Sequence, residues 1–314
     1  MQTALWLITF GLSLAILIQA AKLFVSTSQK FAQAMGWSSF FVGLTILALG
    51  TALPELATSL WASVTQNTSL VAANVVGSNI ANILLILGAG ALIGKTLTLE
   101  NEGMQKQMGV FLISAILLIV TLYDGQFIWQ EGILMIAGFL AYSAYSYDEH
   151  KAGRLETLKN WVLGHEVDAK LIGTLLASAF VTGVTSYMTI HALEEISSSL
   201  NIVSSVIGAS LLALGTSLPE LTTTWIAIKQ KNSDMAVGTL IGSSVLNATL
   251  VMAIPSFLRP LNVTSDVLVL GIPFLMIATV LLIFAVSQRK LHAYEGALYV
   301  ILYILFLQQL FTSF

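Results

Sequence analysis

Long apolar runs, separated by short polar connections, extend along the whole chain. We count ten of them, and each approaches the roughly 20 residues that an α-helix needs to cross a hydrocarbon core of about 30 Å. The pattern therefore predicts an all-α membrane protein with ten transmembrane helices, near residues 4–25, 37–65, 70–93, 107–123, 127–147, 168–190, 202–228, 234–258, 265–287 and 291–312.

The composition agrees with this prediction. Of the 314 residues, 56% are hydrophobic and only 9% are charged, whereas a soluble domain devotes about a quarter of its residues to charge. The expected partner is therefore the lipid bilayer, and a net charge of −3 gives no indication of nucleic-acid binding. The first run lacks a basic flank and a convincing cleavage site, so we interpret it as the first span rather than as a signal peptide.

The positions of Lys and Arg predict the orientation of the chain. With ten spans and the N-terminus outside, all of these residues fall on the cytoplasmic side except Arg259. Basic residues concentrate in cytoplasmic loops of membrane proteins. Because ten is even, the C-terminus is expected outside as well.

The most polar connection divides the chain into two halves of five spans. We predict a first repeat over residues 1–147, a cytoplasmic linker over 148–167 and a second repeat over 168–314. Because five is odd, the second half must enter the membrane in the opposite orientation. Inverted repeats of this kind are common in transporters, whose binding site lies near the midplane between the repeats.

Two motifs recur in both halves at a constant separation of 165 residues. Ala-Leu-Gly-Thr-Ala-Leu-Pro-Glu-Leu at 48–56 matches Ala-Leu-Gly-Thr-Ser-Leu-Pro-Glu-Leu at 213–221. A second motif, Gly-Ser-x-x-x-Asn, occupies 77–82 and 242–247. The two related regions, 42–86 and 207–251, therefore carry the shared chemistry.

The repeated motifs place Glu55 and Glu220 in the middle of apolar spans, with no Lys, Arg or His at comparable depth. A carboxylate at the bilayer centre must pair, protonate or bind a cation, because its desolvation is costly. Pro54 and Pro219 lack an N–H and free backbone carbonyls one turn before each carboxylate. Thr51 shares a helical face with Glu55, and the second half repeats this relation.

The candidate ligands are all oxygen atoms, from carboxylates, hydroxyls, amides and carbonyls. Oxygen-only coordination suits hard cations, and two carboxylates neutralise Ca²⁺. Na⁺ is a similarly hard ion that can use the same groups. Two ions that need the same carboxylates compete for one site, and this competition is the physical basis of antiport.

These motifs resemble those of the cation/Ca²⁺ exchanger superfamily, and most closely its prokaryotic sodium/calcium exchanger branch. The resemblance implies a bacterial or archaeal plasma-membrane antiporter that exchanges Ca²⁺ for Na⁺ by alternating access, and helices 1 and 6 that slide across a rigid core. Simple close packing of the small residues in these two helices is the alternative. The implied metal ligands are Glu55 and Glu220, the carbonyls of Thr51, Thr216, Ala48 and Ala213, the hydroxyls of Ser78, Ser217 and Ser243, and the amides of Asn82 and Asn247.

The chain departs from the motifs of this superfamily at two positions. Ala52 replaces the usual serine of the first repeat and removes a hydroxyl from one flanking site. The coupling ion is therefore open, and H⁺-coupled exchange of Ca²⁺ or another divalent cation is the alternative function. Asn247 stands where some relatives have Asp, which argues against the potassium-dependent type.

Two other classes of protein place polar residues inside a membrane. A channel would also use acidic side chains, but channels are usually built by symmetry among subunits, whereas each chain here holds a complete set of candidate ligands and is expected to function as a monomer. An intramembrane protease would need paired Asp residues, or a Ser with a His or Lys partner, and we find neither at depth. We therefore expect no enzyme and no cofactor, with Ca²⁺ and Na⁺ as the transported ions.

Overall fold

The computed structural model describes residues 2–101, 103–151, 169–199 and 215–312, and this part of the chain is almost entirely helical. Four helices contain a short π-helical segment. We number the helices α1 (Gln2–Met35), α2 (Ser39–Val64), α3 (Ser69–Gly94), α4 (Gly103–Leu122), α5 (Trp129–Lys151), α6 (Ala169–Ser199), α7 (Leu218–Lys229), α8 (Ser233–Ser256), α9 (Val267–Ser287) and α10 (Ala293–Thr312).

Eight of these helices are long and apolar enough to cross a membrane. The exceptions are α5, whose apolar part is the shorter Trp129–Ala141, and α7, of which only Leu218–Lys229 is described. Residues 152–168 and 200–214, which hold most of the predicted linker and the predicted start of the seventh span, lie outside the described residues. The all-helical multi-pass fold is thus confirmed, and the count of ten spans stays a prediction.

Three helices extend well beyond their predicted ends. Helix α1 continues to Met35, past the predicted end at residue 25, α5 continues to Lys151, past residue 147, and α6 continues to Ser199, past residue 190. The extension of α1 is rich in Gln, Lys and Ala, which favour helix even where the chain is no longer apolar. Hydropathy marks where a helix stops being apolar rather than where it stops being helical.

The centre of the molecule is formed by α2, α3 and α8. Within the apolar windows of α3 and α8, 83% and 89% of the residues are buried, against 33% for α1 and 28% for α6. Helices α1 and α6 pack extensively on each other at the periphery. The helices that carry the repeated motifs therefore form the core of the described chain.

Glycines allow α2 and α8 to approach each other at backbone distance. A Cβ atom at Gly242 would collide with the carbonyl oxygen of Leu44, and one at Gly238 would collide with that of Phe40. In the same way, a Cβ atom at Gly43 would meet the carbonyl of Met235. Gly242 opens the repeated Gly-Ser motif, so its first role is to let two core helices touch.

Two short antiparallel ribbons join the halves outside the helices. Strand β1 (Thr96–Thr98) pairs with β4 (Lys290–His292), and β2 (Gln126–Phe127) pairs with β3 (Leu261–Asn262). In each ribbon a pair of buried apolar side chains faces across the strands, Leu97 with Leu291 and Phe127 with Leu261. Each ribbon thus connects loops that are far apart in sequence.

Candidate functional site

The two repeated glutamates are completely enclosed by protein. Glu55 lies within α2 and is 1% exposed, and Glu220 lies in the first turn of α7 and is 0% exposed. No ion pair with a described Lys, Arg or His compensates either carboxylate. Two uncompensated carboxylates in an apolar bundle are expensive unless something else supplies positive charge.

Hydroxyl groups connect the first half to the second around Glu220. The Ser243 hydroxyl on α8 donates to Glu220 Oε1 at 3.3 Å, and it also lies 3.3 Å from the Thr51 hydroxyl on α2. Thr51 in turn donates to the carbonyl of Ala48 at 3.3 Å. The structure therefore brings Glu220, Ser243, Thr51 and Ala48, which were predicted from the sequence as site residues, into one continuous network.

Many oxygen atoms in the centre have no hydrogen-bond partner within the described residues. Both carboxylate oxygens of Glu55 and Oε2 of Glu220 are buried and unpartnered. The same holds for polar side-chain atoms of four other predicted site residues, Ser78, Asn82, Ser217 and Asn247. Leaving one such group unsatisfied costs about 1–3 kcal/mol, and a charged group costs more. A hard cation, which takes carboxylate, hydroxyl and amide oxygens, fits this donor set.

The two predicted asparagines occupy irregular turns of their helices. Asn82 lies in the π-helical segment Ala81–Leu87 of α3, and Asn247 begins the π-helical segment Asn247–Val251 of α8. Single π-helical turns within α-helices are frequently found at functional sites. Both asparagines are fully buried, so the irregular turns lie inside the core.

The two prolines act differently on their helices. Pro54 lies inside the continuous helix Ala48–Val64, whereas Pro219 falls in the first turn of α7, directly after a turn at Ser217. A proline in a first turn is well tolerated because its missing N–H has no helical acceptor there. The carbonyl of Gly215, freed by Pro219, accepts a hydrogen bond from the Ser186 hydroxyl of α6 at 3.5 Å.

Ala52 and Ser217, the unequal pair of the repeat, have different surroundings. Ala52 packs in a small apolar cluster with Ala48 and Leu246. Ser217 is 2% exposed, and its hydroxyl has no partner among the described residues. The first half therefore has apolar contact where the second half presents a hydroxyl oxygen.

A groove beside the site reaches Thr216, two residues before α7. It has a volume of about 730 Å³ and lies between α2 and α6, with Pro54, Gly183 and Thr216 among its lining residues. His191 lines it as well, and its ring stacks on Tyr187 with centroids 6.2 Å apart. The groove is largely apolar apart from these residues.

Several buried polar residues near the centre were missed by the sequence analysis. The Thr216 hydroxyl donates to Asn74 Oδ1 at 3.1 Å, and Asn79 Nδ2 donates to the carbonyl of Ser244 at 3.3 Å. Asn79 and Ser244 occupy equivalent variable positions inside the repeated Gly-Ser-x-x-x-Asn motif, so the motif indicated the region but not these two residues. Asn74 corresponds to Thr239, and this mismatch conceals it from a search for repeats.

Ala213 lies outside the described residues. No cluster of three or more His, Cys, Asp or Glu residues occurs in the described part of the chain. The candidate site thus consists of two carboxylates surrounded by neutral oxygen ligands.

A bundle of apolar helices around a buried, oxygen-lined pair of carboxylates defines a multi-pass membrane protein of the cation-transporter class. Comparison with known proteins is more specific. The profile of the sodium/calcium exchanger protein family matches residues 5–147 and 170–311. The chain therefore belongs to the sodium/calcium exchanger family, whose transported ions are Na⁺ and Ca²⁺.

Individual relatives agree with this assignment over nearly the whole chain. The sodium/calcium exchanger MaX1 of Methanosarcina acetivorans is 30% identical, covering 96% of this chain and 97% of its own. The membrane protein MJ0091 of Methanocaldococcus jannaschii is 31% identical over 94% and 95% of the two chains. A solved structure of the sodium-calcium exchanger NCX_Mj, soaked with zero Na⁺ and Ca²⁺, superposes with a TM-score of 0.84 at 27% identity, covering 98% and 99%.

These relatives bear on two broader predictions. The chain is a multi-pass protein of a prokaryotic plasma membrane, in agreement with its eight apolar membrane-length helices. The family and the relatives whose names state an activity are exchangers rather than enzymes.

Proposed function

We propose that the protein is a secondary antiporter that exchanges Ca²⁺ for Na⁺ by alternating access, with Glu55 and Glu220 as the shared central ligands. The observation that carries the proposal is the burial of both carboxylates with three of their four oxygens unpartnered. One divalent cation between them would neutralise both charges and occupy these oxygens. Monovalent Na⁺ ions that bind the same carboxylates would displace it.

The proposed ligand set extends outwards from the two glutamates. The carbonyls of Thr51 and Thr216 complete a central Ca²⁺ site, and the other groups form flanking Na⁺ sites. Support comes from the burial of every described member and from the unpartnered atoms of most of the side-chain ligands. The flanking groups are the carbonyls of Ala48 and Ala213, the hydroxyls of Ser78, Ser217 and Ser243, and the amides of Asn82 and Asn247.

The proposed topology has ten spans as two inverted repeats, 1–147 and 168–314, joined by a cytoplasmic linker at 148–167, with both termini outside. The constant 165-residue separation of the motifs supports it, as do the matching π-helical turns at Asn82 and Asn247. Each chain holds both carboxylates, so a monomer would contain one complete site.

In the proposed transport cycle, α1 and α6 move as a pair against the core. They pack extensively on each other, only 33% and 28% of the residues in their apolar windows are buried, and Thr216 lines the groove between α2 and α6. Movement of this pair would open or close the groove while α2 and α8, which touch at backbone distance, stay together.

The test is Ca²⁺ uptake into proteoliposomes loaded with Na⁺ and diluted into Na⁺-free medium. We expect uptake that saturates with Ca²⁺, depends on internal Na⁺ and is matched by Na⁺ efflux. Proteoliposomes with equal Na⁺ on both sides are the control. Uptake that is indifferent to the Na⁺ gradient would contradict sodium coupling, and flux without counter-exchange would indicate a channel.

The apolar surroundings of Ala52 favour one alternative, in which H⁺ rather than Na⁺ is the coupling ion. The first half lacks the hydroxyl that Ser217 gives to the second, so one flanking Na⁺ site has fewer oxygen ligands. The same proteoliposomes decide between the two functions, because H⁺-coupled exchange would follow an imposed pH gradient at equal Na⁺.

A further inference from the structure

Asn74 joins the two halves at the edge of the site. It lies on α3 one turn before Ser78 and is 3% exposed, and its Oδ1 accepts the 3.1 Å hydrogen bond from the hydroxyl of Thr216. Thr216 is 1% exposed. Because both groups are buried, water does not compete for this bond, which connects positions 142 residues apart.

The backbone next to Thr216 is irregular. Residues 215 and 216 are helical, but a turn at Ser217, with φ −85° and ψ 7°, interrupts the helix before α7 begins at Leu218. Thr216 therefore lies directly beside a helix interruption, whereas Thr51, its equivalent, lies inside the continuous helix Ala48–Val64.

The contact of Asn74 has no counterpart in the other half. The residue equivalent to Asn74 is Thr239, whose hydroxyl donates to the carbonyl of Met235 in its own helix at 2.8 Å. Thr51 is instead paired with Ser243 at 3.3 Å. The two central threonines are thus held by different partners, and the more irregular backbone has the amide.

We infer that Asn74 is a positioning residue: by holding the Thr216 hydroxyl, it fixes the Thr216 backbone carbonyl in the centre and so sets the affinity of the site for hard cations. The inference rests on the proposed function, because it takes the Thr216 carbonyl as a cation ligand. Asn74 acts through Thr216 and needs no contact with the ion.

The experiment is a double-mutant cycle read by Ca²⁺ titration calorimetry on the purified full-length protein. Thr216→Val removes the hydroxyl and keeps the carbonyl, and Asn74→Ala removes the acceptor. Loss of one neutral buried hydrogen bond should weaken Ca²⁺ binding by about tenfold. The double variant should bind as weakly as either single variant and no weaker, because all three lack the same bond.

The matched control is Thr239→Ala, the equivalent position of the other half, which should leave Ca²⁺ affinity within about twofold of wild type. In proteoliposomes, Asn74→Ala should raise the half-saturating Ca²⁺ concentration with a smaller effect on the maximal rate. The thermal midpoint of each ion-free variant shows whether that variant is misfolded. If Asn74→Ala is misfolded, Thr216→Val still tests the same hydrogen bond, because it removes the donor instead of the acceptor.

Three results would overturn the inference: additive losses in the double variant, an equal loss in Thr239→Ala, or unchanged Ca²⁺ affinity in Asn74→Ala. Failure of the proposed function gives a different result. A wild-type protein that binds Ca²⁺ but shows no Na⁺-driven uptake would contradict sodium-coupled exchange, and the binding cycle would still decide the role of Asn74.

Discussion

Neutralising one central carboxylate should remove the link between Ca²⁺ and thermal stability. Glu55→Gln keeps the size of the side chain but leaves Glu220 as the only negative charge in the centre. Both oxygens of Glu55 are buried and without a partner, so no described residue takes over their role as ligands. Removing one partner of a buried ion pair, here the carboxylate that would face Ca²⁺, typically costs about 3–5 kcal/mol. This cost corresponds to Ca²⁺ binding that is at least about a hundredfold weaker.

The effect on stability follows from linkage between binding and folding. At a Ca²⁺ concentration about 100 times the wild-type Kd, bound Ca²⁺ stabilises the folded protein by about 2.7 kcal/mol. After a hundredfold loss of affinity, the same concentration contributes only about 0.4 kcal/mol. The assay is the thermal midpoint of purified protein across a Ca²⁺ titration in Na⁺-free buffer. We expect a rise of about 4 °C for wild type, since each kcal/mol is worth about 1.5 °C for a chain of 314 residues, and a rise below about 1 °C for Glu55→Gln.

The control is Glu100→Gln, which neutralises an exposed carboxylate and should retain the wild-type response to Ca²⁺. Glu220→Gln should behave as Glu55→Gln does, although one of its oxygens is also engaged by Ser243. A Glu55→Gln protein that keeps most of the Ca²⁺-dependent rise would refute the assignment of this carboxylate as a ligand.

Two further substitutions test the packing and the asymmetry of the site. Gly242→Ala should lower the thermal midpoint by the equivalent of about 2 kcal/mol or more, because its Cβ would collide with the carbonyl of Leu44. The control is Gly11→Ala, which has open space around the Cβ and should be nearly neutral. Equal thermal midpoints for the two variants would contradict the close approach of α2 and α8. Ala52→Ser adds a hydroxyl to the first half and should lower the half-saturating Na⁺ concentration in exchange assays, with little change in the half-saturating Ca²⁺ concentration. An unchanged Na⁺ dependence would show that this position does not face an ion.

The duplication in the sequence pointed to the buried polar centre that forms the candidate site, because both halves repeat its residues. It led directly to Glu220, Ser243 and Thr51, which form one network in the structure. It could not predict Asn74, because the equivalent residue in the second half is Thr239. The hydrogen bond from Thr216 to Asn74 also depends on how two helices pack, and a local sequence pattern does not contain that information. Asn74, which lies outside the two motifs and differs from its equivalent, was therefore missed.

In the fold as well, features set by local sequence were predicted and features set by long-range pairing were not. Hydropathy predicted the long helices, because a span must be apolar over its whole length. It did not predict the two ribbons, whose strands are two or three residues long and pair across the two halves. It also gave no reason to expect different effects from Pro54 and Pro219, which depend on where each helix begins.

The incomplete hydrogen bonding of the centre has a consequence for exchange. If every buried oxygen had a protein partner, cation binding would have to break those bonds, and the empty site would be stable. Here both oxygens of Glu55 and one of Glu220 are buried without partners. Under the proposed mechanism, an empty site that changes sides keeps two uncompensated carboxylates in a low-dielectric core, which is expensive. The same burial that attracts the cation therefore disfavours return of the empty carrier, and it favours obligatory exchange over one-way transport.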